Sequence, residues 1–397
     1  MNICLIIDNV FPSFGGLGKT TERFSLALKK KGHKITVITA RRNNQKEVDN
    51  IRGIKIYHVK SKKMPFALKE YPMLQAVPEE EELKKILIEE KIEIIHLLSY
   101  AKMGKTTLKV AKGLKIPLIF GLHVQPENLL KPIHLNFGIF RRIVINRLKL
   151  MCESGYGTIT PTEFSKKLIS DYGIKNKIFV ISNGINLKEF NNKKTSDKAF
   201  KKKYGLKGKR FILYVGRIMQ DKNIKILIDA CKIINWNAEK NKDLYVVIIG
   251  EGPEKERLME RAKKYGLKNR VIFTGRLDNK MLKSAYKSSE FLVHPSLIEL
   301  QGMTLLESMA FGKPILVSNS EHSAAPTIIS GNGMKFNPFD AKELAEKIQK
   351  LVNNKKLIKK LGRNSLKLTE VHNFNKSVKK MEEAFKEAIE KTKLKDL

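Results

Sequence analysis

The chain has 397 residues, of which 42% are hydrophobic, and it carries 77 Lys and Arg against 40 Asp and Glu, a formal net charge of +37. This length and apolar content exclude a disordered chain and favour two folded domains. The cysteines are few and scattered, and no apolar run is long enough for a signal peptide or a membrane span. We therefore expect a cytoplasmic protein, either free or peripherally attached to the cytoplasmic membrane face.

The excess of basic residues favours polyanionic partners such as nucleic acid, an anionic membrane surface or a phosphorylated substrate. Lys, Ile and Asn are abundant throughout, so a compositional bias without function is the alternative explanation. Between Ile94 and Cys152 the only acidic residue is Glu127, whereas Lys and Arg recur along the whole segment. The first half of the chain therefore contains a basic region of its own.

The first half alternates predicted strands and helices. Asn2 to Ile7 predicts a strand, a helix follows from about Thr20 to Lys31, and Lys34 to Thr39 predicts a second strand. This is a βαβ unit, from which parallel sheets are built. Further predicted strands are Ile92 to Leu98, Pro117 to Leu122 and Gly157 to Ile159.

The glycine-rich loop after the first strand, Phe14 to Thr20, has two interpretations. It lies between a strand and a helix, as a phosphate-binding P-loop does, but Ser13 stands where that pattern requires Gly. No later predicted strand ends in the Asp that would hold magnesium. We therefore favour a glycine turn whose N–H groups approach a phosphate or an acceptor, with Gly16 as the candidate residue.

A lysine-rich stretch, Asn191 to Arg210, has no strand character and predicts a linker. After it, predicted strands and helices alternate again, and the last part of the chain is helical. The predicted strands are 211–215, 244–249, 271–273, 290–294 and 314–317, and the predicted helices include 224–234, 254–265 and 303–311. We predict two doubly wound parallel-sheet domains, 1–190 and 191–370, and a C-terminal helix, 371–397, that packs back on the first domain. Such a pair binds its ligand in a cleft, at the carboxyl ends of strands.

Two carboxylates, Glu299 and Glu307, lie eight positions apart, with Gly302 between them and a predicted helix from Met303 onward. A loop that leads into a helix N-terminus offers unpaired backbone N–H groups and the positive end of a dipole, which suit a diphosphate. The carboxylates can accept hydrogen bonds from sugar hydroxyls on either side. The alternative is an ordinary amphipathic helix with Glu in its first turn.

Two cations follow a strand in the second half. Arg217 ends the strand and Lys222 comes five residues later, so both can neutralise a diphosphate without a metal. Alternatively, they are solvated surface charges. The chain contains no Asp-x-Asp sequence, a pair of carboxylates that could hold a metal ion beside a diphosphate, so we expect no metal site and no cofactor. The turn with Glu251 is expected beside a nucleotide, and the strand end at Arg276 beside its base.

His123 follows a predicted strand at its carboxyl end. A histidine in such a place is either structural or catalytic. As a catalytic group it can orient an acceptor hydroxyl or stabilise a developing positive sugar.

The segment Phe137 to Met151 predicts a basic amphipathic helix. An apolar face is formed by Phe140, Ile143, Val144, Leu148 and Met151. Helices of this kind lie on membrane surfaces, and helices packed on their own sheet look much the same. The same domain contains a second basic and apolar stretch, Lys60 to Lys69.

Taken in chain order, these residues resemble the retaining glycosyltransferases of family 4, which have the GT-B fold of two Rossmann-like domains facing a cleft. The resemblance covers the whole chain, and its most specific element is the glutamate pair followed by 308–314. It implies that Glu299 contacts the donor sugar and that Glu307 contacts the ribose. It implies diphosphate contacts at Arg217, Lys222 and the N–H groups around Gln301, Gly302 and Met303. His123 is then expected beside the reacting centre, and Gly16 near the donor phosphate or the acceptor.

The resemblance also narrows the branch. Most members carry Pro-Phe-Gly after the first glutamate, whereas this chain has Leu300-Gln301-Gly302. Together with the segment His123 to Asn128, this variant resembles diacylglycerol glucosyltransferases. It implies a metal-independent transfer of a hexose, glucose from UDP-glucose, to a lipid acceptor such as diacylglycerol at an anionic membrane surface, with no nucleic-acid partner.

Two alternatives stay open at this point. One is a cytosolic transferase that uses a UDP- or GDP-sugar on a soluble saccharide or a polysaccharide or glycolipid precursor. The other is a non-catalytic protein that binds membranes or nucleic acid on a transferase fold.

Overall fold

The computed structural model describes residues 1–8, 16–42, 45–63, 74–130, 138–190, 196 and 198–394. The chain forms two compact units: a first unit, Met1–Asn183 with Asn375–Leu397, and a second unit, Gly184–Phe374. The divisions fall a few residues from the predicted boundaries at 190/191 and 370/371. The first unit takes its last helix from the C-terminal end of the chain.

The first unit alternates strands and helices. Its elements are β1 (Asn2–Ile7), α1 (Gly16–Lys30), β2 (Lys34–Ala40), β3 (Val48–Ile51), β4 (Ile54–Val59), β5 (Ser61–Lys63), β6 (Leu74–Ala76), α2 (Glu80–Glu89), β7 (Ile94–Leu97), α3 (Lys102–Gly113), β8 (Leu118–Gly121), α4 (Pro126–Leu130), α5 (Gly138–Glu153), β9 (Gly157–Thr160), α6 (Glu163–Asp171) and β10 (Lys177–Val180). The main sheet has the order β10-β9-β8-β7-β1-β2-β4-β3, and only the edge strand β3 is antiparallel. β5 and β6 form a separate antiparallel pair.

The second unit repeats this architecture. Its elements are α7 (Leu187–Phe190), α8 (Lys198–Lys203), β11 (Arg210–Val215), α9 (Ile224–Ile233), β12 (Leu244–Ile249), α10 (Lys255–Lys264), β13 (Val271–Gly275), α11 (Asn279–Ser288), β14 (Leu292–His294), α12 (Met303–Ala310), β15 (Ile315–Ser318), β16 (Gly333–Phe336), α13 (Ala341–Val352) and α14 (Lys355–Thr369), and α15 (Phe374–Lys393) follows. Its sheet is parallel, with the order β13-β12-β11-β14-β15-β16.

Both sheets confirm the predicted doubly wound architecture. Counted along the unit, the second sheet has the strand order 3-2-1-4-5-6. In the first sheet, if the edge strand β3 and the separate pair β5 and β6 are left out of the count, the strands β4, β2, β1 and β7 begin the same order, 3-2-1-4. The central strands are buried on both faces because helices cover them, which explains their nearly continuous apolar sequence. Chain order reverses between β1 and β7 in the first unit and between β11 and β14 in the second.

The predicted linker is partly wrong, because residues 198–203 form the helix α8. Phe200 is fully buried and packs against Phe211, with ring centroids 5.3 Å apart. One apolar anchor therefore holds a helix that is otherwise mostly lysine. Within the stretch, residues 191–195 and 197 lie outside the described part of the chain.

The helix α5 exists as predicted, and part of its predicted apolar face is buried. Leu148, Met151 and Cys152 are buried. Ile143 and Phe140, which belong to the same predicted apolar face, are 57% and 37% exposed. The helix therefore packs on its own domain through a narrower strip than the sequence indicated.

The C-terminal helix α15 packs on the first unit through charged contacts. Glu382 accepts a hydrogen bond from Lys31 and lies 3.4 Å from the Nε2 atom of His33. Glu387 accepts a hydrogen bond from the hydroxyl of Tyr156. Within the described residues, no helix combines the length and the apolarity that a membrane span requires.

Candidate functional site

The second unit brings three predicted site residues to one edge of its sheet. β11 and β14 are neighbours at the point where chain order reverses, and open α/β sheets bind ligands at such a point, outside the carboxyl ends of the strands. Arg217 follows β11 and is exposed. Lys222 and Glu299, which are far apart in sequence, meet directly there.

Lys222 is the buried cation of this edge, with 8% of its surface exposed. It ends a short 3-10 turn, Gln220–Lys222. Its Nζ atom donates a hydrogen bond to Glu299 Oε1 at 2.7 Å. It also donates to Ser296 Oγ and to the carbonyl oxygen of Ile298, at 3.2 Å each. Since an ammonium group has three donors, every donor of Lys222 already has an acceptor.

A second carboxylate completes the cluster. Asp221 lies 3.3 Å from the Nζ atom of Lys222. Burial is the largest single influence on the pKa of Glu299 and raises it. The charge and hydrogen bond of Lys222, with smaller contributions from His294 and Arg217, together outweigh burial and hold this pKa below its ordinary value. Burial lowers the pKa of Lys222, and the carboxylates of Glu299 and Asp221 more than compensate, so this pKa is raised. Both partners of the Lys222–Glu299 pair are therefore charged at neutral pH.

His294 is a buried neighbour of this pair that sequence reasoning missed. It is the last residue of β14, and its Nε2 atom lies 3.6 Å from Glu299 Oε1. Burial lowers the pKa of His294 to about 4, so the ring is neutral at pH 7. Neither ring nitrogen has a hydrogen-bond partner among the described residues. The available signal was a histidine at the carboxyl end of a buried strand.

Glu307 has a partner that the spacing alone did not indicate. Its Oε2 atom accepts a hydrogen bond of 2.8 Å from the hydroxyl of Tyr286, which is fully buried on α11. This bond fixes one oxygen of the carboxylate.

The loop between the two glutamates ends at the N-terminus of α12. Gly302 precedes the helix, and its carbonyl accepts from the N–H of Leu305 at 3.0 Å. Met303 begins the helix, so its N–H has no acceptor within the helix and suits an anion. Gln301 is buried, with 7% of its surface exposed. Gln301 therefore packs inside the loop.

The loop at Gly250 packs against the loop after β11. A Cβ atom at Gly250 would lie 1.8 Å from the carbonyl oxygen of Gly216, so no larger residue fits without a shift of backbone. The N–H of Ile218 donates to the carbonyl of Glu251 at 2.9 Å. The side chain of Glu251 accepts from Lys255 at 2.9 Å. Arg276 follows β13, the strand next to β12, and is exposed.

Two predicted residues, Gly16 and His123, belong to the first unit. Gly16 is the first residue of α1. The rest of the glycine loop before it, 9–15, and most of the basic stretch from Lys60 to Lys69 lie outside the described residues. At the strand reversal of this unit, the hydroxyl of Ser99 donates to Asp8 Oδ2 at 2.5 Å.

His123 follows β8 and lines a narrow cavity together with His96 of β7. Burial lowers the pKa of His123 to about 4, so its imidazole is neutral at pH 7. His96 is buried, and neither of its ring nitrogens has a hydrogen-bond partner in the described part of the chain. A neutral imidazole can accept a proton or a hydrogen bond through one nitrogen.

The second unit thus offers an ionised carboxylate, buried cationic charge, an exposed guanidinium and a helix N-terminus around one sheet edge. This combination suits a ligand that carries both hydroxyls and phosphates. Among the described residues no group of three or more His, Cys, Asp or Glu side chains is placed to hold a metal ion.

Two family models match the chain. The model described as Glycosyltransferase Family 4 matches residues 14–189, and the model described as Glycosyl transferases group 1 matches residues 196–368. A relative from Streptococcus pneumoniae (strain ATCC BAA-255 / R6), an alpha-monoglucosyldiacylglycerol synthase, is 28% identical over 327 residues, which are 81% of this chain and 72% of the relative.

Solved structures share the fold. Sucrose-phosphate synthase from Thermosynechococcus elongatus superposes with a TM-score of 0.81 at 19% identity, over 97% of this chain and 98% of that one. Anabaena Alr3699/HepE in complex with UDP-glucose has a TM-score of 0.75 at 16% identity, over 98% of this chain and 100% of that one. These likenesses establish the GT-B fold that the sequence predicted.

Proposed function

The chain belongs to the glycosyltransferases of family 4, and we propose that it transfers glucose from UDP-glucose to a hydroxyl group of a membrane lipid such as diacylglycerol. The observation that carries this proposal is the charged Lys222–Glu299 pair at the strand reversal of the second unit. A buried and ionised carboxylate at that edge suits the hydroxyls of a donor sugar. The Streptococcus relative supports the lipid acceptor through its name, and the HepE complex supports the donor through its ligand.

In the proposed complex, the ribose, the diphosphate and the glucose of UDP-glucose each have their own partners. Glu307, held by Tyr286, accepts from the ribose hydroxyls. The N–H groups at the start of α12 and the exposed guanidinium of Arg217 bind the diphosphate. Glu299 accepts from hydroxyls of the glucose ring.

Lys222 acts in two ways. Its hydrogen bond keeps Glu299 ionised and fixes the orientation of the carboxylate. Its charge adds to the positive field that stabilises the leaving diphosphate. Because its three donors are already in use, a phosphate oxygen would have to displace one of its present acceptors. Lys222 is therefore chiefly a positioning residue for Glu299.

The reaction retains the configuration at the sugar carbon C1. The acceptor oxygen attacks C1 on the face from which the diphosphate leaves. The C1–O bond breaks with its electron pair going to the diphosphate, and the proton of the acceptor hydroxyl passes to a phosphate oxygen of the leaving group. Glu299 does not act as the nucleophile, since it is engaged by Lys222. The products are UDP and a glucoside, and no metal takes part.

His123 acts on the acceptor. Because its pKa lies near 4, the ring is neutral at pH 7 and can accept a hydrogen bond from the acceptor hydroxyl. That bond orients the hydroxyl oxygen toward C1. The basic region of the first half of the chain matches an acceptor that lies among anionic lipids.

The purified chain is incubated with labelled UDP-glucose or labelled GDP-mannose and a total lipid extract, and the label in the organic phase is counted. The proposal predicts that label from UDP-glucose enters the organic phase, and that the Glu299→Ala variant transfers none. Label only from GDP-mannose would refute the donor. Label that stays in a water-soluble saccharide would refute the lipid acceptor.

A further inference from the structure

The buried ring of His294 faces two parts of the candidate donor site that come from different segments of the chain. Its Nε2 atom lies 3.6 Å from Glu299 Oε1. The same nitrogen faces the loop before α12, because a Cβ atom at Gly302 would lie 3.5 Å from it. One ring atom is therefore next to the carboxylate proposed to bind the sugar and next to the glycine that precedes the diphosphate-binding start of α12.

The surroundings of Nε2 decide which ring nitrogen of His294 carries the proton. The ring is neutral at pH 7, so one nitrogen has an N–H and the other has a lone pair. A lone pair on Nε2 would be repelled by the negative charge of Glu299, whereas an N–H there is attracted by it. Among the described residues no hydrogen bond to either nitrogen competes with this attraction. The proton therefore lies on Nε2.

The contact between His294 and Glu299 is slightly longer than a hydrogen bond. An N–H···O bond is about 3.0 Å long, so the 3.6 Å separation exceeds it by about 0.6 Å. The backbone of Glu299 is held, because its N–H donates to the carbonyl of His322 at 3.3 Å and its carbonyl accepts from the N–H of Ala324 at 2.8 Å. A small rotation of the Glu299 side chain is enough to close the gap.

Lys222 approaches the same carboxylate oxygen. Its Nζ atom lies 2.7 Å from Glu299 Oε1, so closure of the His294 contact gives Oε1 two donors. Two donors fix the plane of the carboxylate, which can rotate about a single one. Oε2 then keeps a constant direction and is the oxygen left for hydroxyls of a sugar.

We propose that His294 is a positioning residue of the donor site. Its Nε2–H holds Oε1 of Glu299 together with Lys222, and its ring sets the distance between that carboxylate and the start of α12. The inference rests on the proposed function, because it concerns a ligand with a sugar at one end and a diphosphate at the other. When the carboxylate is displaced, the sugar is bound more weakly and the nucleoside diphosphate is bound as before.

The test compares two variants of the full chain. His294→Leu removes the N–H, whereas His294→Gln places an amide N–H close to the position of Nε2. Calorimetry measures the affinities for UDP-glucose and for UDP, and neither measurement needs an acceptor. We expect His294→Leu to bind UDP-glucose about tenfold more weakly, because a hydrogen bond to a charged group is lost, and to bind UDP as the unchanged chain does. His294→Gln should recover most of the affinity for UDP-glucose.

The matched control is Val293→Ala, which shortens a buried side chain of the same strand, β14. It should bind both ligands as the unchanged chain does. Nitrogen-15 NMR of the histidine rings is the second readout, with the His294 signals assigned by their absence from His294→Gln. The unchanged chain should show the Nε2–H form of this ring, and UDP-glucose should shift the Nε2–H signal more than UDP does.

Three results would overturn the role of His294. They are unchanged affinity of His294→Leu for UDP-glucose, an equal loss of affinity for UDP and UDP-glucose, and a ring proton on Nδ1. The second result would mean that the ring only supports the fold of the site. If the variants behave as expected but the unchanged chain glucosylates no lipid, the proposed acceptor fails and the role of His294 stands.

Discussion

At the scale of single residues, the centre of the account is a carboxylate that a buried lysine holds in its charged form. Glu299 alone would lose part of its charge on burial, and Lys222 alone would lose its proton more readily. Each group keeps the other ionised, so the sheet edge presents a fixed negative oxygen next to fixed positive charge. This is the type of preorganised electrostatics that stabilises a reaction in which charge separates.

The variant Glu299→Gln should reduce kcat/KM for UDP-glucose by about 100-fold or more, because the amide accepts hydrogen bonds from sugar hydroxyls without the charge. The fold should stay intact, since Lys222 keeps Asp221 as a partner at 3.3 Å. Steady-state kinetics and a thermal melt check both expectations. Glu321→Gln, which alters an exposed glutamate of the same unit, serves as the control. Full activity of Glu299→Gln would remove Glu299 from the site.

Tyr286→Phe should weaken donor binding more than it slows turnover. The change removes the hydroxyl that donates to Glu307 at 2.8 Å, and a hydrogen bond to a charged group contributes about 1.5–3 kcal/mol. We expect the KM for UDP-glucose to rise roughly tenfold with kcat nearly unchanged, which initial-rate measurements resolve. Tyr245→Phe, which alters a partly buried tyrosine on β12 of the same unit, is the control. An unchanged KM would mean that Glu307 does not contact the donor.

The sequence identified Arg217, Lys222, Glu299 and Glu307 as site candidates, but it could not pair them. Lys222 was expected to bind phosphate because cations after a strand often do. In the structure, the Nζ atom of Lys222 instead donates its hydrogen bonds to acceptors in the Ser296 to Glu299 segment. These residues meet only because β11 packs beside β14. Ser296 and His294 were missed, because a serine or histidine in an apolar segment has no pattern that distinguishes it from a core residue.

At the scale of secondary-structure elements, the sequence predicted best where strands are buried on both faces. β1 and β12 have the predicted bounds, since a continuous apolar run between polar ends allows little else. The prediction was poorer where packing, not periodicity, decides. α8 is held by Phe200 among lysines. In α5, helical spacing alone could not show which members of the predicted apolar face are buried, as Leu148 is, and which are exposed, as Ile143 is.

The docking of α15 on the first unit should depend on pH through Glu382. The hydrogen bond from Lys31 is the largest of the causes that hold the pKa of the Glu382 carboxyl at about 2, below its ordinary value of 4.5. Lys386 also lowers this pKa. The contact therefore stabilises the folded state above about pH 4.5, and this contribution is lost as pH falls toward about 2. Glu382→Gln should thus be less stable than the unchanged chain at pH 7, with a smaller difference at pH 3.

Urea unfolding at pH 7 and at pH 3 measures the free energy of unfolding of both proteins. His33 also faces Glu382, so the comparison is repeated with Glu383→Gln, which changes a more exposed glutamate on the same helix. A difference between the unchanged chain and Glu382→Gln that grows on acidification would contradict the assigned contact.

At the scale of the whole molecule, the two units have the same architecture and different chemistry. The second unit has its buried charges clustered at the strand reversal. The first unit contains His96 and His123, which have low pKa values, and a basic outer surface. This difference fits a division in which the second unit binds the donor and the first unit binds the acceptor.

In the proposed mechanism Arg217, Lys222 and the N-terminus of α12 supply the positive charge at the diphosphate, so catalysis should need no metal. Dialysis of the enzyme against EDTA should leave the rate of glucose transfer unchanged. The rate is compared before and after dialysis, with and without added Mg²⁺ or Mn²⁺. A loss on dialysis that either ion restores would contradict the proposed stabilisation of the leaving group.

The proposed reaction transfers glucose from UDP-glucose to diacylglycerol with retention of configuration at C1. The most direct measurement incubates the chain with ¹³C-labelled UDP-glucose and diacylglycerol, isolates the lipid product and determines its anomeric configuration by NMR. We expect an α-glucosyl lipid, formed by the unchanged chain and not by Glu299→Ala. A β-glucosyl lipid would contradict same-face transfer, and UDP release without any lipid product would contradict the acceptor.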